Sequence, residues 1–246
     1  KETLVLAGLD TARRVFERFD AQIDWRPRFE DGAEVATGDT IVRLSGAMRA
    51  LLTGERIALN FLQRLSGIAT GVRRCLPLLA GKPVRLVDTR KTAPGWRMLE
   101  KYAVRTGGAH NHRLALYDGV LIKDNHIAAC GGIEPAVQRA RRSISHLMKI
   151  EVEVTTVDEA LEAVAAGAEV ILLDNMDLPQ IKAAVKAIDG KALVEVSGGV
   201  TPEALPQLAA SGVDIISSGA LTHSAGSVDL SMRIEAVVPS GNGNAA

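Results

Sequence analysis

Residues 149–175 read KIEVEVTTVDEALEAVAAGAEVILLDN. In the first run, Ile150, Val152 and Val154 fall on one face of a strand, and Glu151 and Glu153 on the other. A helix-like segment follows at 157–166, and then a second apolar run that ends in Asp174. Strand, helix and strand in so short a span mean parallel strands joined by a crossover helix. If the apolar face of the first strand packs on helices, both glutamates point away from them, into the centre of whatever the strands enclose.

The same rhythm extends in both directions. VRLVDT, GVLIKD, ALVEVSGG and DIISSG are further short strands, and 133–147, 178–188 and 202–210 are further helix-like segments. Asp88, Arg90, Lys123, Asp124, Glu153, Asp174, Ser197 and Ser217 all fall at or near strand carboxyl ends. In an α/β barrel that rim carries the chemistry, whereas a doubly wound sheet gathers its ligand at one switch point. The spread of polar residues over many strand ends therefore selects a barrel, expected over 81–226.

Upstream, 1–80 reads as a smaller α/β unit. TARRVFERF has helical spacing, and AEVATGDTIVRLSG alternates like strands around Gly-Asp turns. The latter faintly resembles a lipoyl or biotinyl carrier hairpin but has no lysine at its tip. Residues 48–80 are helical, with breaks expected at Gly54 and at Ser66-Gly67. After Gly226 a period-two pattern predicts a last strand over 227–240 that returns to the first unit. The opening KETLVLAGLD is not a signal peptide, and further residues are expected before Lys1. The ending PSGNGNAA reads as a frayed tail.

Composition narrows the class. The 246 residues are 47% hydrophobic but only 3% aromatic, so Ala, Val, Leu and Ile must build the core. The formal net charge is zero, which argues against a nucleic-acid partner. No apolar run reaches the length of a membrane span. Two cysteines, Cys75 and Cys130, make no disulfide framework, and a reducing, cytoplasmic setting is expected.

Against that neutral background, cations crowd a few strand ends: Arg90, Lys91, His112, Arg113 and Lys123. Such charges cannot pair with one another, and burying them unpaired is costly. Either Asp88, Asp118 and Asp124 neutralise them, or an anionic ligand does. Arginine suits carboxylates through its planar fork, and lysine supplies a point charge. Glu153 and Asp174, on successive strand ends, suit Mg²⁺ with water and substrate phosphate, or a lysine–carboxylate network without metal. Ser197-Gly198-Gly199 and Ser217–Gly219 repeat a loop that exposes backbone N–H groups to phosphate. His110 and His112 lack a third ligand spaced for zinc. His126 is expected to cap or hydrogen-bond the loop after IKDN. Together these features describe a barrel mouth for an acidic small molecule and a phosphorylated one.

DTRKTAPGWRMLEKYAVRTGGAHNHRLALYDGVLIKDNHI, residues 88–127, closely resembles the signature of the quinolinate phosphoribosyltransferase family. The likeness continues in LLTGERIALNFLQRLSGIAT, EVEVTT, ILLDNM, VSGGV and SSGALTHSAGSVDLSM. Ala93 departs from a common Thr, His110 stands at a variable position, and the start is shorter than is usual.

The resemblance implies an N-terminal α/β sandwich, incomplete at its start, followed by an incomplete α/β barrel. It implies a pentosyltransferase of NAD biosynthesis. Phosphoribose passes from phosphoribosyl pyrophosphate to quinolinate with loss of CO₂, giving nicotinate mononucleotide. Arg90, His112, Arg113 and Lys123 would hold the two quinolinate carboxylates, with Lys91 near the same site or the pyrophosphate. Glu153 and Asp174 would manage Mg²⁺ and the ribose hydroxyls, and Lys123, Glu153 and Asp174 would form the catalytic set. Ser197, Gly198, Gly199, Ser217 and Gly219 would cradle the 5-phosphate. Arg56 would reach the site of the partner in a homodimer. The alternatives are a molybdenum-transport-associated relative of the same fold, a Schiff-base aldolase using Lys123, and a binding module without turnover.

Overall fold

The computed structural model of the chain describes residues 2–235. The first unit is built from short antiparallel pairs around one helix. β1 (Leu4–Val5) pairs with β3 (Glu34–Val35), and β2 (Asp24–Pro27) pairs with β4 (Val42–Ser45). α1 (Leu9–Glu17) buries Leu9, Ala12 and Phe16 against Leu4, Leu6 and Val35.

α2 (Met48–Cys75) is one continuous helix, followed by a 3₁₀ turn at Leu76–Leu79. The breaks expected at Gly54 and Ser66-Gly67 do not occur. Those glycines serve close approach instead. A Cβ on Gly54 would stand 2.7 Å from the Phe16 ring, and one on Gly67 would stand 2.0 Å from the Gly226 carbonyl oxygen. The helix belongs to both parts of the molecule. Ala58 and Leu62 join the core of the first unit, whereas Leu65, Ile68, Ala69, Val72 and Cys75 join the larger core.

The larger part alternates strand and helix. Its elements are β5 (Arg85–Val87), α3 (Arg97–Gly107), β6 (Val120–Ile122), α4 (Asp124–Cys130), α5 (Ile133–Ser143) and β7 (Ile150–Val154). They continue as α6 (Val157–Ala165), β8 (Val170–Asp174), α7 (Leu178–Ile188), β9 (Leu193–Ser197), α8 (Leu205–Ala209), β10 (Ile215–Ser217) and α9 (Ala220–His223). α6 and α7 begin on capping boxes, Thr156 with Glu159 and Asp177 with Gln180. A side-chain cap of this kind typically contributes about 1 kcal/mol.

The six strands are parallel, in the order β5-β10-β9-β8-β7-β6. Sequential parallel neighbours joined by right-handed crossovers put their helices on one side, so the sheet curls. The last strand, β10, pairs with the first, β5, and the curl closes there. It stays open between β5 and β6, where a single bridge from Val87 to His110 occupies the seam. This is the incomplete α/β barrel expected from the sequence.

Residues 227–235 do return to the first unit, though not as a strand. The Val228 N–H donates to the Gln63 carbonyl (3.1 Å), and Gln63 Nε2 donates to the Leu230 carbonyl (2.9 Å). Val228, Leu230 and Met232 pack on the first core. The segment lies along α2, so its period-two pattern is satisfied by a helix face and not by a sheet edge. Residues 236–240 of the expected strand, and the tail at 239–246, lie outside the described residues.

Candidate active site at the barrel mouth

The barrel mouth begins with a buried ion pair. Asp88, just past the end of β5, is fully buried, and Lys101 of α3 reaches it at 2.5 Å. Asn111 Nδ2 (2.6 Å) and the His112 N–H (2.8 Å) also donate to this carboxylate. Burial pushes the Asp88 pKa up, against the pull of Lys101 and the other donors. Lys101 Nζ donates as well to the His112 carbonyl, at 2.9 Å. The pair thereby clamps the main chain at 111–112 across the barrel seam.

The loop carrying Arg90 and Lys91 is held from three sides. Thr222 Oγ1 donates to the Lys91 carbonyl (2.8 Å), and Arg97 Nε donates to Thr92 Oγ1 (3.1 Å). Glu100, fully buried, accepts from the Ala93 N–H (3.1 Å) and from Arg64 of α2 (2.8 Å). Phe61 of α2 stacks on Trp96 with ring centroids 4.6 Å apart.

Within this frame, Arg90 and Arg113 form no ion pair among the described residues. Arg90 Nε is buried without a hydrogen-bond partner, and the Arg113 guanidinium donates only to the Gly119 carbonyl, at 2.9 Å. Burial, and after it the positive charge of Arg90, lowers the Arg113 pKa. Two guanidinium groups that repel each other and have no carboxylate in ion-pair contact among the described residues describe a site for an anion.

The carboxylates expected to neutralise the cations are used elsewhere. Asp88 takes Lys101, Asp118 accepts the Leu114 and Ala115 N–H groups, and Asp124 accepts the Asn125 N–H. His126 Nδ1 accepts the Lys123 N–H (2.9 Å) and helps start α4, as expected.

β7 presents its two glutamates inward, with Ile150, Val152 and Val154 in the core behind them. Glu153 is paired with Lys123. Asp174, at the end of β8, accepts from Asn175 Nδ2 at 2.7 Å through Oδ2. Among the described residues, the side chains that bring three His or carboxylate ligand atoms together are different ones: His112, Glu151 and Glu195. Glu195 was not foreseen, although Val194-Glu195-Val196 repeats the alternation that marked Glu151. His112 Nε2 lies 3.1 Å from Glu151 and 3.5 Å from Glu195, and Nδ1 accepts the Arg113 N–H at 2.8 Å. Both nitrogens of His112, expected to hold a substrate carboxylate, therefore face protein groups here. Burial disfavours the imidazolium and the two glutamates favour it, so the carboxylates pull the His112 pKa up while the Arg113 N–H on Nδ1 opposes the second proton. The ring that accepts the Arg113 N–H nevertheless has its hydrogen on Nε2. A second proton would have to displace that 2.8 Å bond.

The Ser-Gly loops close the mouth. Gly198 and Gly199 have φ of 91° and 57°, and a Cβ on Gly198 would stand 2.2 Å from Asn175 Oδ1, so a side chain there is excluded. Gly219 lies against Lys91, whose Cδ would be 2.9 Å from an added Cβ. Ser197 is half-buried at the end of β9. The Ser217 hydroxyl is buried and turned onto the Val196 carbonyl at 3.4 Å, so its side chain does not face the mouth. Arg56 is exposed on α2 and forms no ion pair among the described residues, so the pairing with Glu55 that would make it an ordinary surface residue is not seen.

An open-seamed parallel barrel with unpaired arginines, a lysine–carboxylate pair and glycine loops at its mouth is the framework of a transferase acting on phosphorylated and acidic small molecules. The family models described as quinolinate phosphoribosyl transferase match its N-terminal domain over residues 1–66 and its C-terminal domain over residues 68–233. The chain belongs to that family. It is 46% identical over 230 residues to a probable nicotinate-nucleotide pyrophosphorylase (carboxylating) of Bacillus subtilis, covering 94% of this chain and 80% of that protein. The human nicotinate-nucleotide pyrophosphorylase (carboxylating) is 38% identical, over 94% of this chain and 78% of its own. The crystal structure of NadC from Streptococcus pyogenes superposes with a TM-score of 0.90 at 45% identity, covering 95% of this chain and 82% of that one.

Proposed function

We propose that this chain carries out the reaction of its family. Phosphoribose passes from phosphoribosyl pyrophosphate to quinolinate, and pyrophosphate, CO₂ and nicotinate mononucleotide are released for NAD synthesis. The observation that carries this reading is the pair Arg90 and Arg113, two cations at a barrel mouth without an ion-pair partner. A pyridine dicarboxylate supplies the missing charge.

In this reading Arg90 and Arg113 hold the carboxylates, and Lys123 joins them by exchanging Glu153 for substrate. Lys91 lies beside Gly219, where phosphate oxygens would meet the loops at Ser197–Gly199 and Ser217–Gly219. Ser217 contributes there through its main chain, since its hydroxyl is spent on Val196. The pyridine nitrogen attacks the anomeric carbon as the pyrophosphate bond breaks, and cationic side chains stabilise the leaving charge. The electron pair left on the ring when the adjacent carboxylate departs as CO₂ is stabilised by the pyridinium, and the ring carbon then takes a proton. No covalent enzyme intermediate is required. The Schiff-base reading of Lys123 is disfavoured, because its ammonium sits on a carboxylate, unlike the apolar or cationic surroundings of nucleophilic lysines.

Glu153 and Asp174 fit Mg²⁺ by donor type: two half-buried carboxylates on neighbouring strand ends, with substrate oxygens and water to complete the shell. When bound, the ion would neutralise charge on the pyrophosphate.

A homodimer completes the site. Arg56 is exposed on α2 beside Ile57 and Leu52, which are 44% and 58% exposed, so a cation and apolar side chains share one uncovered stretch of helix. An isologous interface there would place each Arg56 over the barrel of its partner. A cytoplasmic setting suits such an enzyme, and no helix among the described residues is long and apolar enough to cross a membrane.

The reaction is tested by CO₂ release from carboxyl-labelled quinolinate with phosphoribosyl pyrophosphate and Mg²⁺. Release that depends on both substrates is expected, and none at all would remove the assignment. The shared site is tested by mixing an Arg56→Ala chain with a Lys123→Ala chain, each inactive alone. Random exchange should restore about a quarter of wild-type activity, since half of the dimers would hold one intact site in two. No recovery after exchange seen by mass spectrometry would put Arg56 outside the site.

A further inference from the structure

Glu151 of β7 and Glu195 of β9 converge on one atom, His112 Nε2, at 3.1 Å and 3.5 Å. They are 7% and 2% exposed, and Oε1 of each makes no hydrogen bond within the protein. Barrel interiors are ordinarily filled by branched apolar side chains. Two such side chains would occupy this space at a lower desolvation cost than two carboxylates. The charge therefore calls for a reason, and the reaction outlined above does not supply one.

The connections of His112 supply it. Its main chain is clamped on both sides, by Asp88 at the N–H (2.8 Å) and by Lys101 at the carbonyl (2.9 Å). At Nε2 its ring faces Glu151 Oε2 at 3.1 Å and, in a longer charge contact that is not a hydrogen bond, Glu195 Oε1 at 3.5 Å. The remaining nitrogen, Nδ1, accepts the N–H of Arg113 at 2.8 Å. The Arg113 guanidinium then rests at its far end on the Gly119 carbonyl, at 2.9 Å. One carboxylate would fix only the direction of the Nε2 hydrogen. Two, from strands either side of β8, also oppose rotation of the ring plane.

We propose that Glu151 and Glu195 are positioning residues for Arg113, acting through the His112 ring, and so set where its guanidinium stands for a carboxylate of the pyridine substrate. This inference rests on the proposed reaction for the identity of that substrate. It does not rest on it for the state of the ring.

The test combines kinetics with a measurement on the unaltered protein. Glu195→Gln and Glu151→Gln keep the shape and remove the charge. Each should raise the KM for quinolinate about tenfold, at the low end of what a misplaced binding group costs. The KM for phosphoribosyl pyrophosphate should stay within about twofold, since Arg113 serves the other substrate. His112→Asn keeps an acceptor near Nδ1 but removes Nε2. In that background Glu195→Gln should add less than about twofold, because nothing is left for it to hold.

Multiplying effects in the double variant, equal rises in both KM values, or a lower melting temperature with unchanged kinetics would each overturn the proposal. In the wild-type protein, nitrogen NMR of the imidazole should show hydrogen on Nε2 and a bare Nδ1, with or without quinolinate. A hydrogen on Nδ1 would overturn the proposal even if every variant failed to fold. Stoichiometric bound metal that is lost on Glu195→Gln would assign the cluster to an ion and overturn it as well. Absence of CO₂ release by the wild-type chain would instead sink the proposed reaction, while the NMR result still decided the ring.

Discussion

Two lysine–carboxylate pairs stand at the barrel mouth, and they differ in everything but chemistry. Lys101 and Asp88 are 4% and 0% exposed, and their remaining valences go to Asn111 and to the main chain of His112. Lys123 and Glu153 are 45% and 16% exposed. The first pair has no neighbour it could exchange for without leaving a buried charge alone. The second opens to the mouth, where a substrate carboxylate can replace Glu153 and release it. Burial and satisfied hydrogen bonds, rather than residue type, separate a pair that holds the chain from a pair that can trade partners.

The largest test of this contrast removes what Lys123 is to trade for. Nicotinate lacks the second carboxylate and would leave a cation of the site unpaired. Its kcat/KM should fall below that of quinolinate on the order of 10⁴-fold. Comparable values would mean that the open pair never exchanges. The fixed pair is broken by Lys101→Met, which strands Asp88 in the interior. Unfolding in urea should show a loss of about 3–5 kcal/mol, and a loss below about 1 kcal/mol, the level of an exposed pair, would erase the distinction. A smaller effect sharpens the comparison by leaving both pairs alone. Gly67→Ala pushes a methyl at the Gly226 carbonyl, 2.0 Å away, and should cost about 1–3 kcal/mol by overpacking while leaving the KM for quinolinate unchanged. A changed KM would show that α2 couples to the mouth more tightly than its contacts suggest.

The barrel was legible in the sequence because its strands are apolar, short and regularly spaced by helices, and because polar residues mark their ends. The same alternation placed Glu151 and Glu153 inside. It also lay open at Glu195, which sits between Val194 and Val196 as the one charge of its strand. Lys101 gave no such sign. It stands in a helix with charged neighbours and looks solvent-facing until the barrel seam brings Asp88 beneath it. Gly54 and Gly67 read as helix breaks because glycine is a poor helix former. Their partners, Phe16 and Gly226, are 38 and 159 residues away in sequence, beyond any local pattern. The segment after Gly226 alternated like a strand, yet one helix face satisfied it. Periodicity reports that a side is buried and not what buries it.

The exchange of partners by Lys123 is tested most directly by one paired measurement on Lys123→Met, namely quinolinate binding by calorimetry and thermal unfolding of the same sample. Loss of a charged contact should weaken quinolinate by about 2–5 kcal/mol. The melting temperature should stay within about 2 °C, as expected when only a half-exposed pair is removed. Unchanged quinolinate affinity with a melting temperature lowered by about 8 °C or more would contradict the account, because Lys123 would then be a second structural lysine.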